Sequence, residues 1–108
     1  MIQVYLSGKI TGLPKEQYTL TFAKAEQFYK GCGYTVINPV KLGETLLRQK
    51  LDATYEDFMK VDLIALKNCT HIALLEGWED SKGAQKEKQE AEKLGLEIMY
   101  FKEIGGKK

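Results

Sequence analysis

The sequence predicts an α/β domain, a parallel sheet covered by helices on both faces. Three observations predict it. Four short runs rich in apolar and β-type residues, "IQVYL", "YTVINP", "HIALLE" and "LEIMYF", punctuate the chain. Stretches with the apolar spacing of helices separate them. The runs are nearly continuous in apolar character rather than alternating, which suits strands buried on both sides.

The elements follow in order. Ile2 to Leu6 makes the first strand, stopped by Ser7-Gly8, and "GKITGLPKE", with two glycines and a proline, is a loop. A helix runs from about Lys15 to Lys30, with Tyr18, Phe22, Ala25 and Tyr29 on one face, and Gly31 and Gly33 end it. "YTVINP" is the second strand, closed by Asn38-Pro39. A helical piece covers roughly Leu42 to Gln49. Thr54, with Asp57 three residues on, opens a further helix that carries Tyr55, Phe58, Met59 and Leu66 inward and ends near Asn68. "HIALLE" is the third strand and "EGWEDSKG" a loop. The last helix opens at Ser81, whose hydroxyl can cap its first turn, and ends at Gly95 before the strand "LEIMYF".

The totals bound the function. A chain of 108 residues is long enough for one core, so a single domain over residues 1–108 is expected. With 44% apolar and 29% charged residues it reads as globular. A net charge of +1 gives no electrostatic sign of a nucleic-acid partner or an acidic membrane, and the terminal Lys107-Lys108 reads as a solvated end. No apolar run approaches the ~20 residues of a membrane span, and the N-terminus has no signal-peptide pattern. A cytoplasmic location follows, with Cys32 and Cys69 as reduced, at least partly buried thiols. The lone His71 excludes a zinc cluster or a Ser-His arrangement, so neither metal nor cofactor is expected.

Parallel sheets bind ligands outside the carboxyl ends of their strands. Here those ends lead into "SGKITG", "NPV" and "EGWEDSKG", and a site is expected where these loops meet. Two carboxylates fall on apolar faces. Glu87 lies three residues after Ala84 and four before Ala91, inside a stripe that also takes in Leu94. Asp62 lies seven after Tyr55, three after Met59 and four before Leu66. An ionised carboxylate so placed costs several kcal/mol unless it is paired, hydrogen-bonded or solvated. Either one alone admits a structural account, a side chain bonded to loop amides. Two in one small domain point to a shared polar cleft, and paired carboxylates in different environments are what glycosyl-transfer chemistry uses. Ser81 and Gly83 add a helix N-terminus, with free N–H groups and partial positive charge, where glycine leaves room for a ligand at the backbone.

Together these segments resemble the nucleoside 2-deoxyribosyltransferase-like superfamily, and in particular its small bacterial and phage branch, the DUF4406 domain. The resemblance runs from Val4 to about Tyr100 and rests on "YLSGKITG", "INP", "DLIAL" and "EGWEDSKGAQKEKQEAEKLG". Its most specific part is Ser81-Gly83-Glu87-Ala91. It implies a flavodoxin-like, Rossmann-like parallel sheet of about four or five strands, a homo-oligomer of two or more subunits, and cleavage or exchange at an N-glycosidic bond. It further implies Glu87 as nucleophile, and Asp62 in the site against the sugar or the leaving base. Ser81 and Gly83 would hold a 5′-phosphate, and the first loop, Ser7, Gly8, Lys9, Ile10 and Gly12, would line a nucleotide pocket. The sequence departs from its relatives at Thr11, where the hydrolases carry arginine, at Thr70, where many carry aspartate, and at Lys82 and Ala84. These leave the substrate open, with Lys9 or Lys82 as substitutes for the arginine.

Trp78 can stack on a base, or cap the sheet edge or a subunit contact. Asn38 can touch the ligand or simply hold the Asn-Pro turn. Tyr5 and Tyr18 read as core aromatics. The function expected is an N-glycosidic hydrolase or deoxyribosyltransferase acting on a nucleoside or nucleotide. The alternative is a binding protein that senses or sequesters a nucleotide without turnover.

Overall fold

Alternation along β1 (Gln3–Ser7) sets the layers of the protein, because successive strand side chains point to opposite faces. Val4 and Leu6 join Ala73 and Leu75 of β3 (His71–Leu75) in one apolar cluster with Phe22, Ala25 and Tyr29 of α1 (Lys15–Gly31) and Val40 of α2 (Pro39–Gln49). Tyr5 joins Ile72 and Leu74 in a second cluster with Leu66 of α3 (Tyr55–Lys67) and Ala91 of α4 (Lys82–Leu94). Helices therefore cover both faces. The structure, a computed structural model, describes residues 1–102, and the terminal lysines lie outside the described residues.

β2 (Thr35–Ile37) and β4 (Glu97–Phe101) complete a four-stranded sheet in the order β2-β1-β3-β4, every pair parallel. This is the expected flavodoxin-like arrangement. The crossover through α1 leaves β1 toward one edge, and that through α4 leaves β3 toward the other. The carboxyl ends of β1 and β3 therefore flank a topological switch point, where α/β sheets open a crevice.

Local chemistry explains the boundaries. Thr54 and Asp57 form a reciprocal capping box, with bonds of 3.2 and 2.9 Å to each other's backbone N–H, so α3 starts where the sequence places it. Ser81 Oγ accepts the N–H of Ala84 at 3.1 Å and caps α4, which Gly95 ends with φ +76°. Among the described residues no helix is long and apolar enough to cross a membrane.

Four expectations are corrected. α2 begins at Pro39, not Leu42: Asn38 is its N-cap, accepting the Val40 N–H at 3.0 Å, and proline suits the first helical position. Tyr55 and Leu94, both expected inward, are 48% and 40% exposed. Each stands at a helix terminus, where the apolar stripe outruns the elements it packs on. Cys32 is exposed, because it caps the end of α1 rather than lying within a packed element; Cys69 is buried.

Candidate active site

Glu87 is 5% exposed on the inner face of α4, and its surroundings are polar. Tyr5 donates its phenol hydrogen to Oε2 at 2.7 Å, and Ser7 donates its hydroxyl to Oε1 at 2.6 Å. Both donors come from β1, two residues apart and so on the same face of the sheet. Their lengths are those of charge-assisted O–H···O⁻ bonds. Asp62, partly buried on α3, shares a hydrogen bond with Glu87. The two carboxylates that the sequence places on apolar faces thus meet, beside the end of β1.

Burial raises both acids. It pushes Asp62 up to about 8, with the negative charge of Glu87 adding to the effect. It lifts Glu87 to about 6 against the hydrogen bonds of Ser7, Tyr5 and Asp62, which hold it down. Two raised carboxyls side by side resist carrying two negative charges at once, so the pair favours sharing a proton. The Tyr5 phenol, buried and facing both, is raised well above its usual range. Neighbouring carboxyls with raised pKa values are a pair that can exchange a proton near neutral pH.

Glu26 shows what a structural carboxylate looks like in the same fold. It is 6% exposed on α1 and lies four residues after Phe22 and three before Tyr29, a third carboxylate in an apolar stripe, which the sequence pattern alone did not single out. Lys30 pairs with it at 2.7 Å, Lys41 at 3.1 Å, and the Asn38 amide donates to it at 3.0 Å. Burial alone would raise its pKa, but these partners lower it to about 2. Glu87 has hydroxyl donors and an acid beside it, and among the described residues no cation holds it.

The other expected residues divide. Ser7 touches Glu87. Ser81 and Gly83 occupy the first turn of α4, one to two turns before Glu87 on the same helix. Gly8 is glycine for packing: an added Cβ would lie 3.0 Å from Leu75 Cβ and 3.3 Å from Phe22 Cζ. Gly12 takes φ +87° in an open turn. Ile10 packs against the cluster beneath α1, on the sheet face opposite Glu87, and Lys9 is partly exposed. Asn38 has both ends of its amide engaged, on Val40 N–H and on Glu26. Trp78 lies within a 3₁₀ turn, its ring 6.2 Å from Tyr100 of edge strand β4 and under the Lys88 ammonium at 5.6 Å. That places it at the sheet edge, beside a surface concavity of about 410 Å³ that Glu87 does not line. Thr70 bonds Gln3 at the amino end of the strands, so the departure there is remote from the carboxylates. Among the described residues no three metal-ligating side chains gather.

Tyr5 is the partner of Glu87 that the sequence does not announce, since an aromatic in an apolar strand reads as core. The only signal is its spacing: Tyr5 and Ser7 share a face at the carboxyl end of β1, where a polar pair in a buried strand calls for a polar partner.

A parallel sheet in this order, with a carboxylate pair beside the end of β1, defines an α/β protein of flavodoxin-like architecture. Comparison with known proteins sharpens that. Residues 2–100 match the family described as "Domain of unknown function (DUF4406)", and the chain belongs to it, as its sequence motifs implied. No curated protein sequence matches. Among solved structures, the chain is similar to the CMP N-glycosidase BcmB of Clostridium botulinum, with a TM-score of 0.59 and 20% sequence identity. The likeness covers 91% of this chain and 66% of that one, so the shared part is the fold, and the neighbour is the longer protein.

Proposed function

We propose that the protein cleaves or exchanges an N-glycosidic bond of a nucleoside or nucleotide, with Glu87 as nucleophile and Asp62 as the proton-handling partner. The observation that carries this reading is a buried Glu87, held by Tyr5 and Ser7 and set beside the partly buried Asp62, without a cation among the described residues. The shared fold with a CMP N-glycosidase supports the same reaction class.

On this reading the ionised Glu87 carboxylate attacks the anomeric carbon. The C–N bond breaks, its electron pair leaves with the base, and the Asp62 proton neutralises that base. The sugar is then esterified to Glu87. Water attacks the anomeric carbon, the C–O bond to Glu87 breaks with its electron pair returning to the carboxylate, and the water's proton passes to Asp62, restoring both groups. A second base in place of water makes the enzyme a transferase. Ser81 and the first turn of α4 suit a 5′-phosphate through free N–H groups. Self-association belongs to the same proposal; Ile64, 63% exposed on the apolar α3, supports it, and sedimentation tests it.

The experiment is release of free base from deoxy- and ribonucleosides and their 5′-monophosphates, followed by chromatography, with Glu87→Ala as control. Release by the native protein and none by the variant establishes the reaction. Binding without release by the native protein turns the reading to a nucleotide-binding protein.

A further inference from the structure

The absent side chain of Gly83 is already spoken for. A Cβ added there would lie 3.3 Å from the Tyr55 hydroxyl and 3.4 Å from Met59 Cε, both on α3. The sequence leaves that space to a ligand at the backbone; the structure sets the Tyr55 hydroxyl close against it, so an added methyl would displace the hydroxyl by a few tenths of an ångström. Tyr55 is 48% exposed, so the residue stands at the rim of the α3–α4 seam rather than in its floor. It is two helical turns from Asp62 on α3, and Gly83 is one turn from Glu87 on α4. The hydroxyl is thus set over the same faces that carry the two carboxyls.

Its state fits a donor. Burial, and then the charges of Glu87 and Asp62, raise its pKa above the usual phenol value, and no hydrogen bond to a described residue draws on its proton. The Lys86 ammonium sits 5.6 Å from the ring centroid and steadies the ring from outside. A steadied phenol with a proton to give, at the rim of the seam whose helices carry both carboxyls, is suited to recognition.

We infer that Tyr55 is a ligand-binding residue: its hydroxyl donates a hydrogen bond to an oxygen of the bound nucleoside or nucleotide, and Gly83 is glycine so that this hydroxyl can be seated. The inference rests on the glycosidic reading and adds a contact to it. The acceptor is a sugar hydroxyl or a 5′-phosphate oxygen, which have the same hydrogen-bond chemistry.

Four proteins test it: Glu87→Gln as the background in which ligand survives, and that background with Tyr55→Phe, with Gly83→Ala, and with both. Titration calorimetry with nucleosides and nucleoside 5′-monophosphates reads affinity, and melting temperature without ligand reads folding. Each single change is expected to weaken binding about tenfold. The double variant should lose no more than either single, because both act on one hydroxyl. Tyr55→Phe should leave the melting temperature nearly unmoved, so it carries the test even if Gly83→Ala folds poorly. A loss confined to monophosphates identifies the phosphate as acceptor; an equal loss on nucleosides identifies the sugar. Native-like affinity in Tyr55→Phe, or additive losses, overturns the inference and leaves base release by the native protein untouched. No affinity for any of these ligands in the background protein, and no base release by the native one, overturns the glycosidic reading and the inference with it.

Discussion

Ser7 donates its hydroxyl to Oε1 of Glu87 across 2.6 Å and so ties the end of β1 to the second turn of α4. With Tyr5 on the other oxygen, the carboxylate is aimed, and both hydrogen bonds favour its charged form against the burial that raises its pKa. Removing one donor leaves the charge less supported and raises the pKa of Glu87. Ser7→Ala is therefore expected to shift the acidic limb of a base-release profile to higher pH and to lower kcat roughly tenfold, the worth of one charge-assisted bond. Tyr5→Phe should do the same. A profile that stays in place, measured by chromatography from mildly acid to mildly alkaline buffers, would show that the donors only fill space.

The pair itself sets a pH window. The nucleophile must be ionised and the acid protonated, so activity should fall below about pH 6, where Glu87 takes up a proton, and above about pH 8, where Asp62 loses its own. Asp62→Asn keeps the shape but has no acidic proton, and should cost on the order of 10²-fold or more in kcat. The loss should be smallest for nucleosides whose base leaves easily. An alkaline limb unchanged in Asp62→Asn would assign it to another group.

Much of this was legible in the sequence because it depends on local spacing. The parallel sheet follows from near-continuous apolar runs joined by helices, and both Glu87 and Asp62 are found by counting three and four residues to apolar neighbours. Glu26 obeys the same count, and what separates it from Glu87 is tertiary: Lys41 and Asn38 reach it from the turn and helix after β2. The Tyr5 contact spans 82 positions of sequence, so no local pattern announces it. Asn38-Pro39 is ambiguous for a physical reason, since the residues that end a strand also cap a helix. Gly83 reads as space for a ligand until the neighbouring helix supplies Tyr55.

Glu26 gives a prediction for stability. Its lowered pKa means that the folded state favours the charged form, so its contribution is present above about pH 4.5 and is lost as pH falls toward about 2. Glu26→Gln should destabilise the protein by roughly 1–3 kcal/mol at neutral pH, because it breaks a hydrogen-bonded network at a buried site. The difference from the native protein should shrink as the buffer is acidified. Urea unfolding at neutral pH and again near pH 3 measures both, and a gap that is the same in the two buffers would remove the charge from the explanation.

Asp62 should behave in the opposite sense. Its pKa is raised on folding from 3.8 to about 8, so the folded protein binds a proton that the unfolded chain releases. The sign is fixed by linkage: where the folded state holds more protons, stability falls as pH rises. The contribution is complete below about pH 4 and is lost progressively as the pH climbs toward 8. Asp62→Asn removes the titration while keeping a group of similar shape that can donate to Glu87. It should therefore flatten the stability profile between about pH 5 and about pH 8, in the range where native stability declines. At the alkaline end it should be more stable than the native protein. The same substitution is expected to abolish most base release. A variant that is more stable and less active near pH 8 marks a carboxyl kept in a costly place for its chemistry. Asp62→Asn that loses stability at that pH would mean the carboxyl holds α3 and α4 together, and the nucleophile would then need another acid.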